Sequence, residues 1–261
     1  MLFAQEVVFP PVQRCFVLPP LGRETLSFHL YQANIFEKKQ AYYLDLEETR
    51  LTVNISFPVA KAGRVYLYLP FIYTGGGVMD GAIDGFHRLF GLPDGGRGQV
   101  PYGRNTYLLF ARDLARRGPL VGEPEVFFSY GGYFKIILGG KIPLKNDGFR
   151  SGRSRVFLGG SLEGKAGSLY FKSTLGLAVA AGKSSFFTSR MEARWRRLDF
   201  GLLVRTSPYT AGDLSHAAVA AFAAVRIYRG VKIGMVEDMA PYDTSADFTL
   251  YLSVDLSTGG N

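Results

Sequence analysis

Cysteine and long apolar runs are what this sequence has least of. Cys15 is the single cysteine, which excludes an intrachain disulfide and any metal or redox motif built on paired cysteines. No run of 18 apolar residues occurs, so the sequence contains no transmembrane helix. The Gly-x-Ser-x-Gly signature of serine hydrolases is missing as well. We therefore expect no catalytic residues, no metal site and no cofactor.

Glycine and aromatic residues, by contrast, are plentiful. The 261 residues include 32 glycines, 21 phenylalanines and 15 tyrosines, and 47% of all residues are hydrophobic. This composition is typical of many strands joined by tight turns, with aromatic girdles where a barrel meets the membrane surface. The formal net charge is +8, but lysine and arginine are spread along the chain rather than clustered, so we expect no nucleic-acid partner.

The last third of the chain alternates between apolar and polar residues. Between positions 248 and 256, every even residue is Phe, Leu or Val, and Thr249, Tyr251, Ser253 and Asp255 stand between them. Successive side chains of a strand point to opposite faces, so one face is wholly apolar. The pattern favours a sheet closed between lipid outside and water inside. A soluble β-protein that buries its apolar face under a second sheet is the alternative.

The sequence predicts an all-β fold, a single antiparallel transmembrane β-barrel of about 12 strands, within a range of 10–14. The strands are expected near residues 25–36, 42–57, 64–73, 104–112, 125–142, 153–162, 168–179, 185–195, 198–206, 214–227, 230–237 and 246–257. The fifth is interpreted as one strand bent at Gly131 and Gly132, because a hairpin there would give an odd count. With this count the long connections lie on one side of the membrane and the tight turns on the other, except for 113–124.

Alternation assigns the strand residues to a lipid face or a lumen face. The expected lipid face is apolar: Leu26, Phe28, Leu30, Val65, Leu67, Leu69, Phe71, Phe134, Ile136, Leu138, Ile142, Val156, Leu158, Leu162, Leu169, Phe171, Leu175, Leu177, Phe187, Met191, Trp195, Leu198, Phe200, Leu202, Val204, Val231, Ile233 and Met235. The expected lumen and constriction residues are basic: Arg64, Lys135, Lys141, Arg155, Lys172, Arg190, Arg194, Arg196 and Arg205, with His29, Arg226 and Lys232. The lumen carboxylates are Glu163, Glu192, Asp199, Asp247 and Asp255. A charge at mid-depth on the lipid face would cost about 2–4 kcal/mol, so this separation by face is informative.

The second strand departs from the pattern. Asp45 and Glu47 have the same parity as Val53 and Ile55, which belong to the lipid face. A β-bulge near Thr49 would restore the alternation. A strand end that stands clear of the membrane would explain it equally well.

The stretch 75–103 is predicted to form an insert that contains a short helix. Apolar residues between Val78 and Leu92 recur at helical spacing, and Gly91 and Pro93 end the pattern. Such a helix often folds into the mouth or lumen of a barrel. Asp80, Asp84 and His87 would share one helix face, where they could bind a divalent cation or relay protons. The alternative is a set of polar plug residues that face lumen arginines, with Arg97 as a local partner.

Several motifs resemble those of a family of uncharacterised bacterial barrels, domain-of-unknown-function family 3187. They are Gly75-Gly76-Gly77-Val78-Met79-Asp80, then Ile83, Phe86-His87, Phe90-Gly91-Leu92-Pro93 and Gly95-Gly96-Arg97, with Tyr31-Gln32-Ala33-Asn34, Lys141-Ile142-Pro143, Glu237-Asp238 and Ala246-Asp247-Phe248. The resemblance runs over nearly the whole chain in the same order. It implies an outer-membrane barrel and assigns no activity.

The two ends of the chain carry weaker signals. Residues 1–20 form an N-terminal segment that resembles the remnant of a signal peptide, and 21–261 form the barrel domain. Outer-membrane barrels usually end in an aromatic residue that the outer-membrane assembly machinery recognises, whereas this sequence continues through 257–261. The recognised residues could lie within Phe248–Leu256, or assembly could differ.

These observations predict a protein of the bacterial outer membrane whose partners are the lipid bilayer and small solutes or anions. The basic lumen would focus a positive potential and favour anions, and the 75–103 insert would gate passage. Two other functions stay open. A structural or surface-interaction barrel would have a plugged lumen with paired charges. A lipid-directed enzyme would use His29 or His216, although Ser215 and His216 are adjacent in a strand and point apart.

Overall fold

A computed structural model of the chain describes residues 25–38, 42–76, 79–91, 101–109, 112–113, 118–144, 154–180, 185–206, 217–238 and 248–257. The expected N-terminal segment and Cys15 lie outside the described residues. The strands are β1 (Thr25–Lys38), β2 (Tyr42–Ala60), β3 (Gly63–Gly75), β4 (Thr106–Leu109), β5 (Arg112–Asp113), β6 (Gly118–Val121), β7 (Glu125–Gly131), β8 (Phe134–Lys141), β9 (Arg155–Ala166), β10 (Leu169–Ala180), β11 (Ser185–Trp195), β12 (Leu198–Thr206), β13 (Ala217–Tyr228), β14 (Val231–Asp238) and β15 (Phe248–Ser257). One helix, α1 (Asp80–Phe90), follows β3.

Twelve of the strands form a closed antiparallel barrel, which confirms the predicted fold class. Each of β1–β3 and β7–β15 pairs with its neighbour in sequence order, and β1 pairs with β15 from Thr25↔Ser257 to Asn34↔Phe248. The short strands β4 and β6 extend the wall at one end, β4 beside β2 and β6 beside β3. Apart from α1, none of the described residues form a helix, and α1 is too short to cross a membrane.

The strand count was predicted correctly through two errors that cancel. Residues 125–141 form a hairpin, β7 and β8, instead of one bent strand, and 104–112 contributes only the short β4 and β5 instead of a barrel strand. The hairpin turns at 132–133 because Gly131 adopts a φ of 132°, which only glycine tolerates without strain. The misplaced connection 113–124 therefore belongs to the long connection that contains the insert.

This correction brings all tight turns to one end of the barrel. They are 61–62, 132–133, 167–168, 196–197 and 229–230, and at the opposite end at least three residues separate successive barrel strands. The described starts of β1 and ends of β15 lie at the turn end. In bacterial outer-membrane barrels that end is periplasmic. We call the opposite end the outer end.

The outer surface of the barrel is apolar, as the alternation predicted. Large side chains such as Phe134 and Val156 are 59% and 64% exposed, and leucines of β9, β10 and β12 are exposed beside them. A soluble protein rarely leaves so continuous an apolar surface uncovered. No second sheet covers it within the described residues, so the surface is one that hydrocarbon covers.

Candidate functional site in the barrel lumen

Charged side chains on the lumen face of β8 to β14 form a connected row, which we call the basic ladder. Its members are Lys135, Glu163, Lys172, Arg190, Glu192, Arg194, Asp199, Arg226 and Lys232. Alternation on neighbouring strands of fixed register places all of them on the inner face, in the half of the barrel nearer the turns.

Each carboxylate of the basic ladder contacts more than one cation. Glu163 Oε1 lies 2.6 Å from Lys135 Nζ and 3.2 Å from Lys172 Nζ. Glu192 lies 2.9 Å from Arg190 Nη2 and 3.6 Å from Arg194 Nη2. The carboxylates are therefore shared rather than paired one to one.

Asp199 is the most crowded carboxylate of the basic ladder. It lies 2.5 Å from Arg194 Nε and 2.9 Å from Lys232 Nζ, with Arg226 Nη2 at 4.0 Å. In total, six basic side chains share three carboxylates, so the basic ladder carries a formal excess of three positive charges. An uncompensated positive field in a narrow, low-dielectric lumen attracts anions.

Two further ion pairs lie in the lumen toward the outer end. Arg50 Nη2 lies 2.5 Å from Glu48 Oε1 on the same strand. Lys141 Nζ donates to the carboxylate of Glu123. All four side chains are buried, so these cations are held by the wall instead of standing in an open passage.

Apolar side chains also point into the lumen, in two clusters. One contains Tyr31, Leu203, Ala220, Phe222, Ala224, Val236 and Tyr251. The other contains Tyr66, Phe127, Ile137, Phe157 and Ala178, with Tyr68 packed against it. The first cluster adjoins the basic ladder, since the Arg190 guanidinium lies 4.5 Å from the centroid of the Phe222 ring.

The inward aromatic rings fit because glycines face them across the sheet. Phe127 pairs with Gly139, where a Cβ would lie 2.0 Å from the Phe127 ring. Phe222 pairs with Gly201 and Tyr251 with Gly234, where a Cβ would lie 2.7 Å and 2.5 Å from the facing ring. The sequence reasoning missed these rings, since they share a face with charged residues. The signal was the glycine opposite each ring, which only the strand register reveals.

Most of the other sequence-predicted lumen residues are accounted for by this arrangement. Arg64 and Arg155 are buried on the inner face. Arg196 instead lies exposed in the turn between β11 and β12, with its guanidinium 5.0 Å from the Trp195 ring. It does not line the lumen. The side chain of Arg205 and the residue Asp247 lie outside the described part of the chain.

Helix α1 forms where the spacing predicted it and ends at Gly91, whose φ is 67° and whose N–H donates to His87 O. It packs against the barrel wall at the outer end. Met79, Ile83 and Phe86 contact Phe248 and Met235, and the Phe86 and Phe248 ring centroids are 5.3 Å apart.

Those contacts place α1 outside the lumen. Phe248 and Met235 have the parity of Leu250 and Ile233, which face lipid. The register of β14 with β15 has no bulge that would reverse it. The helix therefore lies on the outer surface instead of in the mouth or lumen.

This position explains the polar residues that broke the alternation in β2. No register shift interrupts the pairing of β2 with β1, so the expected bulge near Thr49 is not formed. Glu47 keeps its outward parity and accepts hydrogen bonds from Met79 N (2.5 Å) and Gln32 Nε2 (2.8 Å). A carboxylate at this end also compensates the helix dipole. The strand end is thus covered by the helix instead of by lipid.

Asp80, Asp84 and His87 do not converge on one ligand. Asp80 accepts hydrogen bonds of 2.7 Å from Asn34 Nδ2 and from Gly103 N. His87 Nε2 lies 3.1 Å from Glu237 Oε1. None of the described contacts of these three residues involves a lumen arginine, and Arg97 lies outside the described residues.

Asp84 differs from its two neighbours because its partners belong to the insert. It contacts Arg88 at 3.1 Å and accepts a 2.9 Å hydrogen bond from the Tyr102 hydroxyl, which raises the Tyr102 pKa above its ordinary value. Within the described residues no group of three potential metal ligands occurs.

The histidines give no hydrolase geometry. His29 Nε2 lies 3.1 Å from Ser27 Oγ, but no carboxylate is hydrogen-bonded to its ring within the described residues. In a serine hydrolase, the histidine that acts as general base needs a carboxylate or similar group to orient its ring toward the serine. His216 lies outside the described residues.

The closed antiparallel sheet, its apolar outer surface and its charged interior define the protein as an outer-membrane β-barrel. The family model described as protein of unknown function (DUF3187) matches residues 2–116, and this confirms the resemblance over that part of the chain. A search of curated proteins found no match.

Solved structures of outer-membrane proteins are similar to this chain. An outer-membrane channel from Pseudomonas putida F1 aligns with a TM-score of 0.59 at 11% identity, over 94% of this chain and 98% of that chain. The Ralstonia pickettii toluene transporter TbuX aligns with a TM-score of 0.47 at 11% identity, over 97% and 99%. Outer membrane phospholipase A from Escherichia coli gives 0.43 at 8% identity, over 94% and 93%. At such identities the likeness establishes the fold alone.

Proposed function

We propose that this barrel is a channel for small solutes and that its basic ladder favours anions. The observation that carries the proposal is the excess of cations at the turn end of the lumen, where six basic side chains share three carboxylates. A barrel that served only as a scaffold would gain nothing from positive charges beyond those its carboxylates balance, because burying charge costs free energy. A solute anion would supply the missing negative charge during passage.

Neutralising two cations of the basic ladder is expected to reduce anion selectivity severalfold. Arg226→Gln combined with Lys232→Gln removes two of the three excess positive charges, and both side chains keep some access to water, so the fold should tolerate the change. The measurement is the reversal potential of single channels in a planar bilayer under a salt gradient. The matched control is Arg197→Gln with Arg229→Gln, which removes the same charge from exposed turn residues outside the lumen.

Three results would contradict the proposal. One is a wild-type barrel that inserts into the bilayer and carries no current under any condition. Another is a wild-type channel that prefers cations. The third is an equal shift of reversal potential in the lumen variant and the turn variant, which would assign selectivity to charge outside the lumen.

A second candidate function is a plugged barrel without transport, and one observation favours it. Arg50, Lys135 and Tyr66 are at most 1% exposed, so the lumen cross-section is filled at these positions. In a channel this arrangement is a closed state that opens by side-chain or segment movement. In a plugged barrel it would be permanent, and no condition would give current.

We infer that the insert gates the channel, and that it does so from the outer rim. The chain that follows the insert contributes β4 and β6, which extend the wall beside β2 and β3. Backbone atoms of Gly103 and Arg104 lie against Gly76, where a Cβ would be 1.9 Å from Gly103 O. Docking of α1 on the wall therefore holds the segments that border the mouth of the lumen.

Undocking the helix is expected to raise the open probability of the channel. Asp80→Ala removes the hydrogen bonds to Asn34 Nδ2 and Gly103 N, which link the helix to the wall and to 101–121. Asp84→Ala is the matched control, because it lies one turn further on the same helix and its contacts with Arg88 and Tyr102 do not reach the barrel wall. Both are compared in single-channel recordings. Identical open probabilities in Asp80→Ala and wild type would rule out gating by this contact.

A further inference from the structure

One buried arginine of the lumen has hydrogen-bond donors that the fold does not use. Arg64 is 0% exposed, and its Nη1 donates a 2.7 Å hydrogen bond to Ser56 Oγ. Its Nε and Nη2 have no hydrogen-bond partner within the part of the chain that the structure describes. Each cation of the basic ladder, by contrast, contacts a carboxylate.

The two unused nitrogens lie on the same edge of the guanidinium plane. The N–H bonds of Nε and Nη2 run parallel, and their spacing matches that of the two oxygens of a carboxylate. Leaving a buried cation without a negative partner costs several kcal/mol, so a fold keeps such an arrangement where a ligand or water completes it. A lysine could not offer this pair of donors.

Hydroxyl groups and aromatic rings lie on the lumen face beside Arg64. Ser129 is the direct cross-strand partner of Arg64, and its Oγ lies 3.4 Å from the Tyr66 hydroxyl. The next inward residues along β3 are Tyr66 and Tyr68, and the Tyr68 ring meets Phe127 edge-on at 5.5 Å. The Arg64 side chain therefore shares the lumen face with an apolar, aromatic cluster of neighbouring strand residues.

We propose that Arg64 binds the carboxylate of a small organic acid whose apolar body packs on Tyr66, Tyr68 and Phe127. The proposal rests on the proposed function in one respect, that solutes enter the lumen. Because Arg64 is buried, the acid reaches it when the side chains above it move, as they must for any solute to pass. An inorganic anion would satisfy the guanidinium but leave the aromatic surface unused, so the site prefers an amphiphilic acid.

Benzoate is a suitable probe, with benzyl alcohol and inorganic phosphate as comparisons. The purified full-length barrel in detergent micelles is titrated with each by isothermal titration calorimetry. We expect benzoate to bind and both comparison ligands to bind about tenfold more weakly or worse, since a charge-assisted pair of hydrogen bonds and apolar burial act together only in benzoate.

Arg64→Lys keeps the charge and removes the paired donors, so it should weaken benzoate binding by about tenfold or more. The matched control is Arg50→Lys, which makes the same change at a buried lumen arginine whose guanidinium already contacts Glu48. If Arg64→Lys does not fold, Ser56→Ala replaces it. That variant removes only the acceptor that orients Nη1 and should weaken benzoate binding severalfold.

The outcomes separate this site from the channel itself. The proposal is overturned if the wild type does not bind benzoate, if phosphate binds as well as benzoate, or if the Arg64 and Ser56 variants bind like wild type. Conductance without benzoate binding would leave the channel standing and remove the Arg64 site. Benzoate binding without conductance would support the site in a barrel that does not transport.

Discussion

Asp199→Asn is expected to lower the free energy of unfolding by about 3 kcal/mol, near the lower end of the range for breaking a buried ion pair. Asp199 is buried and contacts Arg194, Lys232 and Arg226. The neutral amide would leave Lys232 and Arg226 without this carboxylate and Arg194 with only the more distant Glu192, in a low-dielectric lumen. The cost stays near the lower end because Arg194 and Arg226 retain some exposure to water.

The measurement is urea unfolding from lipid vesicles, followed by tryptophan fluorescence. Trp195 is the single tryptophan of the sequence and lies half-exposed on the outer surface near the turn end, so its emission reports insertion. Asp255→Asn is the control, since Asp255 is exposed at the same end of the lumen and should change stability by no more than about 0.5 kcal/mol. Equal small effects in both variants would mean that the basic ladder is solvated like surface charge.

Leu175→Arg is expected to cost about 2–4 kcal/mol of stability in lipid vesicles, because a cation at mid-depth on the lipid face is poorly solvated. Leu175 is exposed on the outer surface in the middle of β10. Leu169→Arg makes the same change on the same face at the first residue of the strand, near the membrane surface. There the cost should be about 0–1 kcal/mol.

The difference in stability between these two variants tests whether hydrocarbon surrounds the middle of β10. Unfolding is again followed by Trp195 fluorescence in vesicles. Equal costs at Leu175 and Leu169 would show that hydrocarbon does not surround the middle of β10. That result would favour the soluble alternative, in which water or a partner sheet covers the apolar face.

Local patterns were sufficient for much of the fold. The period-two alternation of residues 248–256 and of the other strands predicted the lipid face, because each side chain's direction depends only on its own strand. The helix at 80–90 and its end at Gly91 were predicted because spacing and a C-terminal glycine are local signals. The same signals failed at 125–141, where a bent strand and a hairpin have the same alternation and only the pairing of β7 with β8 distinguishes them.

The site was predicted in part. The basic residues Lys135, Lys172, Arg190 and Arg194 were assigned to the lumen by parity, and the structure brings them to a common set of carboxylates. The alternation of the strand had also assigned Arg196 to the lumen. In the structure Arg196 has a φ of 55° and belongs to the turn between β11 and β12. The resemblance to family 3187 added the barrel class and the insert motif, but no position for the helix.

The sequence by itself determined which residues face lipid, which face the lumen and where the helix forms, because strand parity and helical spacing act over a few residues. Only the tertiary structure decided that α1 covers Glu47 on the outer wall, that aromatic rings point into the lumen opposite glycines, and that Arg64 keeps two donors on one edge. These features depend on register and on closure of β1 against β15, which join residues more than 200 positions apart. The free energy of such contacts comes from packing and charge pairing across the closed sheet, and no local pattern in the chain encodes it.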